Sequence, residues 1–263
     1  MSQNQRANHI ISVPASGGWL VTTAASWLGL VFGILYVWSV IKGGIPEHWG
    51  WSHADKALPY SVMAVTFSFV MVPAGMLQDR IGPRPVVILG GFLAGLGCMI
   101  AGYGGSQLSA YILGFGIITG AGVGFGYAAL TPAAVKWFPP QKTGMITGIV
   151  VAGAGLAPVP LAPLTQWLLI RFSGPGPAGG IDMGVSTTMI CLGTGIWVAC
   201  LLLARFIKNP PDTLAPDSAG NTQTPDNFSP REMVGSTQFR LLFPMYFSGA
   251  SAGLVFISTA ADL

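Results

Sequence analysis

Charged residues are scarce in this sequence. Asp, Glu, Lys and Arg make up 8% of its 263 residues, against about 25% in soluble globular proteins. Apolar residues make up 51%, and the mean hydropathy is +0.61. A soluble domain of this size needs a polar surface that so few charged side chains cannot cover. We therefore expect most of the surface to face lipid.

The sequence also lacks the residue clusters that enzymes and metal sites need. Its three cysteines, Cys98, Cys191 and Cys200, lie in apolar stretches, where a thiol usually packs as a small hydrophobe. Their spacing fits neither a disulfide framework nor a metal site. His48 and His53 share one polar loop, and we interpret them as solvated residues rather than metal ligands. With no nucleophile–base pair, paired carboxylates or phosphate-binding loop, we expect no enzymatic activity, cofactor or metal.

What the sequence contains instead is a series of uncharged runs. Each is close to the roughly 20 residues that a helix needs to cross the hydrocarbon core of a membrane. Six runs predict membrane spans, and a seventh begins near Leu241 and continues to Leu263. The six are Gly17–Ile41, Leu58–Leu77, Pro85–Tyr103, Ala110–Val135, Gly144–Ile170 and Met183–Ala204. The predicted fold class is an all-α membrane protein.

The basic residues predict the orientation of these spans. Six crossings put the N-terminus and the polar segment after span 6 on one side, together with most of the basic residues; Lys42, Lys56 and Arg171 fall on the other side. Because basic residues near span ends favour the cytoplasm, we expect the N-terminus and the central segment to be cytoplasmic. This topology accounts for the net charge of +3 without a nucleic-acid partner.

A polar segment divides the chain into three predicted parts. Residues 208–238 are rich in Pro, Asp, Ser, Thr and Asn, a composition that cannot bury enough apolar surface to fold alone. We predict an N-terminal six-helix transmembrane bundle at 1–207, a cytoplasmic linker at 208–238, and the incomplete first helix of a C-terminal bundle at 239–263. We expect the sequence to be part of a longer protein, truncated after helix 7.

Glycines recur at helical spacing within the spans, as in Gly29/Gly33, Gly91/Gly95, Gly116/Gly120, Gly122/Gly126 and Gly144/Gly148. Such pairs allow two helix backbones to approach closely in lipid. The stretch GAGVGFGY in span 4 also resembles a dinucleotide-binding loop, but its glycines alternate and no strand precedes them. We therefore interpret the glycines as helix-packing residues.

Span 5 contains three prolines, Pro158, Pro160 and Pro163. Proline removes a backbone donor and clashes with the preceding turn, so we expect this helix to be kinked or locally unwound. In a membrane such breaks persist where neighbours or a water-filled cavity satisfy the freed carbonyls. A bend required by packing and a part in gating both remain open.

The stretch GMLQDRIGPRPV between spans 2 and 3 concentrates charge in a sequence that otherwise has little. Its Gly75, Asp79, Arg80, Gly82 and Arg84 resemble the signature of the major facilitator superfamily. The resemblance implies that this turn latches two bundles on the cytoplasmic side, with Asp79 engaging a helix end of the second bundle. The positive-inside rule would account for the two arginines but not for the acid beside them.

Further stretches resemble the oxalate/formate antiporter family within that superfamily. They are GILYVWSV, GAGVGFGY, KWFPPQKTGMITGIVVAGAGLAP and PREMVGSTQFRLLF. The GGW at 17–19 and the span 5 stretch are also similar to the related monocarboxylate transporters. The resemblance implies the major facilitator superfamily fold, here the N-terminal six-helix bundle plus the start of helix 7, in a bacterial or archaeal inner membrane. It also implies alternating-access transport of small organic anions, such as oxalate, formate or lactate.

The candidate substrate-binding residues are Tyr36, Trp38 and Tyr127, since a carboxylate needs donors and these spans contain no cation. The resemblance implies that Tyr36 and Tyr127 lie in the pocket, whereas Trp38 stays open between a pocket residue and an interfacial anchor. Ala154 stands where the family has an aromatic hydroxyl. The family's cationic anion-binding residues, in helices 8 and 11, would lie beyond Leu263.

Three versions of this function remain open. Transport is carboxylate exchange or symport with protons; proton coupling usually needs a titratable group within the membrane, and the predicted spans contain none. Alternatively, the chain is a non-transporting membrane half-subunit that needs a separate partner bundle.

Overall fold

The computed structural model describes residues 15–173, 184–210 and 230–259. The chain divides into two units, residues 1–210 and residues 211–263, and each is described by itself. The predicted start of span 6 at Met183, most of the predicted linker 208–238 and the predicted end of span 7 at Leu263 lie outside the described residues.

Six helices of the first unit are long and apolar enough to cross a membrane, which confirms an all-α membrane protein. Helix α1 consists of an α-helix Ala15–Phe32, a 3₁₀ turn Gly33–Val37 and an α-helix Trp38–Gly43; α2 is His53–Ile81 and α3 is Pro83–Tyr103. Helix α4 begins as Leu108–Tyr111, continues as a π-helix Ile112–Thr119 and ends as Gly120–Val135. Helix α5 begins with a 3₁₀ turn Pro140–Lys142 and has two α-helical parts, Thr143–Gly155 and Pro158–Phe172; α6 is Gly184–Leu203.

Helix α2 begins several residues before the uncharged run that predicted it, because a capping box starts it. The hydroxyl of Ser52 accepts a hydrogen bond from the Asp55 amide at 3.2 Å, and the Asp55 carboxylate accepts one from the Ser52 amide at 3.0 Å. These reciprocal bonds satisfy two of the free amides at the helix start. The helix can therefore extend through charged residues that the hydropathy argument left in the loop.

Close backbone contacts hold the first unit together. A Cβ atom at Gly90 of α3 would lie 2.6 Å from both the Gly122 carbonyl oxygen and the Gly126 amide of α4. Helix α1 contacts α5 in the same way, because Gly29 and Gly33 lie against Ala154 and Ala157. These contacts confirm that the glycine pairs of spans 1, 3 and 4 serve helix packing. Gly144 and Gly148 differ, since open space surrounds their Cβ positions in the part of the chain described.

Indole N–H groups donate hydrogen bonds to backbone carbonyls of neighbouring helices and loops. The pairs are Trp38 to Lys56 (2.9 Å), Trp51 to Ser106 (2.9 Å), Trp137 to Lys208 (2.8 Å) and Trp197 to Phe92 (2.9 Å). The first two fasten the α1–α2 loop to α2 and to the α3–α4 turn, so this end of the unit is well defined.

Helices α2 and α5 are the most exposed of the six. Only 11% of the α2 window and 22% of the α5 window are buried, against 61% for α1. Both are strongly apolar, so their free faces must meet lipid or another membrane segment. The second unit contains a short helix Pro230–Gly235 and α7, Thr237–Thr259. The last part of the predicted linker is therefore helical, and α7 begins slightly before the predicted Leu241.

Replacing Gly90 by Ala should destabilise the protein, because the added methyl group would overlap backbone atoms of α4 that cannot move independently. We expect a loss of roughly 1–3 kcal/mol, seen as a lower thermal unfolding midpoint of the detergent-solubilised chain by tryptophan fluorescence. Gly195→Ala is the matched control, since that glycine lies inside α6 with open space around it. An unchanged midpoint for Gly90→Ala would contradict backbone-limited packing.

Candidate functional site

Three tyrosines from three helices form the candidate site, and we call them the tyrosine group. They are Tyr36 of α1, Tyr60 of α2 and Tyr127 of α4, each half-buried. All three rings pack against the same apolar core of the unit, and Tyr36 lies close enough to Tyr60 and to Tyr127 to interact electrostatically with each. Each phenol presents a hydroxyl that can donate or accept a hydrogen bond at the end of an apolar ring.

Tyr36 is positioned by the 3₁₀ turn in the middle of α1. The turn begins at Gly33, whose Cα lies directly against Ala157 at the break in α5. A 3₁₀ segment within a longer helix often marks a hinge or local strain. The candidate residue of α1 therefore lies where both α1 and α5 depart from regular α-helix.

Tyr127 is held at the junction of three helices. Its ring meets the ring of Phe67 of α2 edge-on, with the centroids 5.6 Å apart. The preceding Gly126 lies against the ring of Phe32 of α1. Tyr36 and Tyr127, which the resemblance assigned to one pocket, pack against the same apolar core, and their role in binding substrate stays a prediction.

Tyr60 was not anticipated as a site residue. Its hydroxyl oxygen is buried and has no hydrogen-bond partner among the described residues. Leaving a buried polar group unpaired costs about 1–3 kcal/mol, so this hydroxyl is available to a ligand or a water molecule. The sequence did contain a signal for Tyr60, because a tyrosine inside predicted span 2 offers a hydroxyl within the membrane. The spacing of apolar residues could not show which way this side chain points.

Trp38 is part of the core. Only 3% of its surface is exposed, and its indole N–H donates to the Lys56 carbonyl at 2.9 Å. Its ring stacks on Phe115 at 4.8 Å and meets Tyr111 edge-on at 6.2 Å. Both the donor and the ring are occupied, so this environment favours a packing role over substrate contact or interfacial anchoring.

Helix α5 is interrupted beside the site. The first part ends at Gly155, a turn contains Leu156 and Ala157, and the second part begins at Pro158. Pro158 and Pro160 occupy the first turn of the new helix, where no backbone donor is needed, and Pro163 lies inside it. Their role in gating stays a prediction.

Ala154 faces α1 rather than a pocket. It is 4% exposed, and a Cβ atom at Gly29 would lie 3.7 Å from the Ala154 Cβ. A larger side chain would separate the two helices. The small side chain of Ala154 thus permits a close α1–α5 contact.

The charged turn between α2 and α3 combines one constrained glycine with exposed charges. Gly82 has φ +87° and ψ 167°, a conformation that essentially only glycine adopts, and its amide donates to the Gln78 carbonyl at 2.9 Å. Asp79, Arg80 and Arg84 are exposed. Across the described ranges, Asp79 makes no ion pair or hydrogen bond through its carboxylate, so it is available to a partner outside them. Gly75 lies one turn earlier with open space around it.

An apolar groove elsewhere in the unit is not suited to an anion. It has a volume of about 350 Å³ between α1, α5 and α6, and its lining includes Ile34, Leu161, Leu164 and Ile196. Such a lining offers no hydrogen-bond donor for a carboxylate. The tyrosine group is the better candidate for binding a polar solute.

Comparisons with known proteins agree with this architecture. Residues 19–261 match the family model of the Major Facilitator Superfamily. Similar proteins include the oxalate:formate antiporter of Oxalobacter formigenes, 26% identical over 88% of this chain and 51% of that protein. Others are the uncharacterized MFS-type transporter YhjX of Escherichia coli, 22% identical over 93% and 57%, and monocarboxylate transporter 11 of Mus musculus, 32% identical over 62% and 37%. The chain spans about half the length, or less, of the curated relatives it matches.

Replacing Gly82 by Ala should strain the charged turn, because alanine strongly disfavours this backbone conformation. We expect a cost of about 1–3 kcal/mol, measured as a lower thermal unfolding midpoint. Gly43→Ala is the control, since that glycine at the end of α1 has open space around it and no positive φ. Equal midpoints for the two variants would show that the turn relaxes without cost.

Proposed function

Because this chain belongs to the major facilitator superfamily, we propose that it forms the N-terminal half of a secondary carrier for small organic anions. The proposed substrates are oxalate and formate, or monocarboxylates such as lactate. The observation that carries this proposal is the tyrosine group, in which half-buried phenols of α1, α2 and α4 pack against one apolar core. The names of the relatives, an oxalate:formate antiporter and monocarboxylate transporters, support the same substrate class.

A carboxylate suits the tyrosine group because its oxygens accept hydrogen bonds and phenols can donate them. The described charged side chains of this unit lie near helix ends or in connections, away from Tyr127 and Tyr36. In this proposal the unit supplies neutral donors near the bilayer midplane, and the second bundle supplies a cation at that depth. Substrate then binds near the bilayer midplane between two halves, as in other carriers of this architecture.

The exposed faces of α2 and α5 are the proposed contact surfaces for that second bundle. Both helices have little burial within the unit, and Gly144 and Gly148 of α5 have room for another helix backbone. Alternating access would rock one bundle against the other around the bound anion. A separately encoded partner bundle would fit the same faces, so the alternative of a half-subunit that needs such a partner stays open.

The charged turn is the proposed latch between the bundles. Asp79 is exposed and lacks a partner among the residues described, while Gly82 fixes the turn that presents it. A carboxylate can hydrogen-bond the free amides at the N-terminus of a helix. In the proposed cycle, Asp79 contacts such a helix end of the second bundle in one conformation and releases it in the other.

Exchange of carboxylates is the proposed mode of transport, with proton symport as the alternative. The uncharged runs that hold the three tyrosines, residues 17–41, 58–77 and 110–135, contain no acid or histidine to carry a proton at that depth. The proposed location is the inner membrane, with the N-terminus and central linker cytoplasmic. The basic residues at one end support this orientation; they are Arg80, Arg84, Lys136, Lys142, Arg205 and Lys208.

Replacing Tyr127 or Tyr60 by Phe should weaken anion binding, because each substitution removes one hydroxyl donor. We expect the half-saturation concentration to rise roughly tenfold, the scale of one hydrogen bond to a charged group. The measurement is exchange of labelled oxalate, formate and lactate in proteoliposomes that contain the full chain and any partner bundle it requires. Tyr60→Phe should not lower the unfolding midpoint, because it removes a buried hydroxyl that has no hydrogen-bond partner among the described residues.

Tyr103→Phe is the matched control, because Tyr103 lies at the end of α3 and is 74% exposed. Its half-saturation concentration should equal that of the unmodified chain. An unchanged value for Tyr127→Phe would remove this residue from the binding site, and failure of the unmodified chain to exchange any of the three anions would refute the proposed substrates.

Replacing Asp79 by Asn should slow the transport cycle without unfolding the protein, because the side chain is exposed and its charge is needed only for the latch. We expect a maximal rate lowered several-fold and an unfolding midpoint within a degree or two of the original, as for most exposed substitutions. Glu47→Gln, which removes an exposed acid in the α1–α2 loop, should leave the rate unchanged. A normal rate in Asp79→Asn would exclude the latch.

A further inference from the structure

Lys56 is a half-buried cation near the tyrosine group. It lies in the first turn of α2, and its ammonium group donates to the Ile45 carbonyl of the α1–α2 loop at 3.4 Å. This distance is longer than the usual 2.9–3.0 Å of a strong N–H···O bond, about the limit of such contacts. The lysine can therefore give up this bond at little cost when a better acceptor arrives.

The neighbouring acid does not neutralise Lys56. The Asp55 carboxylate accepts hydrogen bonds from the amide and the hydroxyl of Ser52, at 3.0 and 2.7 Å, and thereby caps the helix. Within residues 15–173, 184–210 and 230–259, Lys56 forms no ion pair. Its positive charge is thus available to an anion.

Lys56 and Tyr60 lie on one face of α2. They are four positions apart, so their Cβ atoms are neighbours at about 5–6 Å. The side chain of Lys56 reaches the loop that follows α1, and Tyr60 lies within electrostatic range of Tyr36 in α1. Both side chains therefore face α1. Along α2, the cation therefore lies at the loop end and the phenol of Tyr60 lies one turn further into the bundle.

We propose that Lys56 and Tyr60 form an entry site that captures the carboxylate before it reaches Tyr36 and Tyr127. The ammonium group attracts the anion and donates to one carboxylate oxygen, while the buried Tyr60 hydroxyl, which has no partner among the described residues, donates to the other. This inference rests on the proposed function and adds to it the residue that selects for negative charge in this half of the carrier.

The position of the cation has a physical reason. A lysine at the bilayer centre is costly, about 2.5–3.5 kcal/mol on translocon scales, whereas Lys56 lies in the first turn of its helix. From there its charge attracts anions over a distance that depends on ionic strength. The phenols deeper in the bundle can then bind the anion without a buried charge of their own.

Lys56→Gln tests this entry site in the full chain, with any required partner bundle, using labelled oxalate, formate and lactate in proteoliposomes. We expect the half-saturation concentration to rise about tenfold, the size of one charge-assisted hydrogen bond, with the maximal rate unchanged. Uptake at low anion concentration should also lose most of its dependence on ionic strength. Lys56→Arg, which keeps the charge, should retain both properties.

The control is Arg171→Gln, which removes an exposed charge in the last turn of α5, at the same end of the bundle. It should change neither the half-saturation concentration nor the salt dependence. Unchanged values in Lys56→Gln would overturn the entry site, and so would equal losses in Lys56→Gln and Lys56→Arg, because they would indicate a structural role.

The proposed function and the entry site fail differently. If the unmodified chain takes up none of the three anions, the proposed substrates are wrong, and calorimetric titration of the purified protein with oxalate still tests the site. Weaker binding by Lys56→Gln than by the unmodified chain would then support it. Equal binding by the two, or none by either, would refute it.

Discussion

The structure depends on close backbone contact between helices at glycine. Lipid tails are as apolar as leucine side chains, so burial of apolar surface drives helix association far less in a membrane than in water, and van der Waals packing must do more. Here α3 meets α4 at Gly90, Gly122 and Gly126, and α1 meets α5 at Gly29 and Gly33. A single methyl group at most of these positions would overlap a neighbour. These contacts also help to position the two tyrosines, because Gly33 lies one turn before Tyr36 and Gly126 directly precedes Tyr127.

The helices of the unit differ in how much of their surface this packing buries. Helices α1 and α3 have most of their window buried, and α4 has half of it buried, whereas α2 and α5 show largely free apolar faces. Helix α5 is also interrupted at Leu156 and Ala157, and α2 ends at the constrained Gly82. The break in α5 and the charged turn after α2, unlike the substrate-binding candidates Tyr36 and Tyr127, therefore lie on the helices with the fewest internal constraints. A helix that must move against a partner cannot be buried on all sides within its own unit.

The chemistry of the candidate site reflects the cost of charge in a membrane. Neutral phenols can occupy the interior of the bundle because their rings are apolar and each leaves only one hydroxyl to satisfy. Charges lie instead at the helix ends, as with Lys56 and Asp79, where water can reach them. An anion that crosses such a unit needs attraction at the entrance and hydrogen-bond donors inside. In the proposed function, Lys56 and the tyrosine group provide these in that order.

The sequence by itself determined the place of the six spans of the first unit, the charged turn and the family. Span length and the absence of charge depend only on composition over about 20 residues, so the predicted runs agree with the helices to within a few residues. Tertiary structure decided which side chains face one another. It placed Trp38 in the core, Ala154 against α1 and Tyr60 beside Tyr36, and it put the break in α5 just before Pro158. The sequence could not reveal how α2 and α4 are oriented, because apolar residues are spread evenly around both helices. A helix with no polar face carries no periodic signal of its orientation, and only its contacts with neighbouring helices select one.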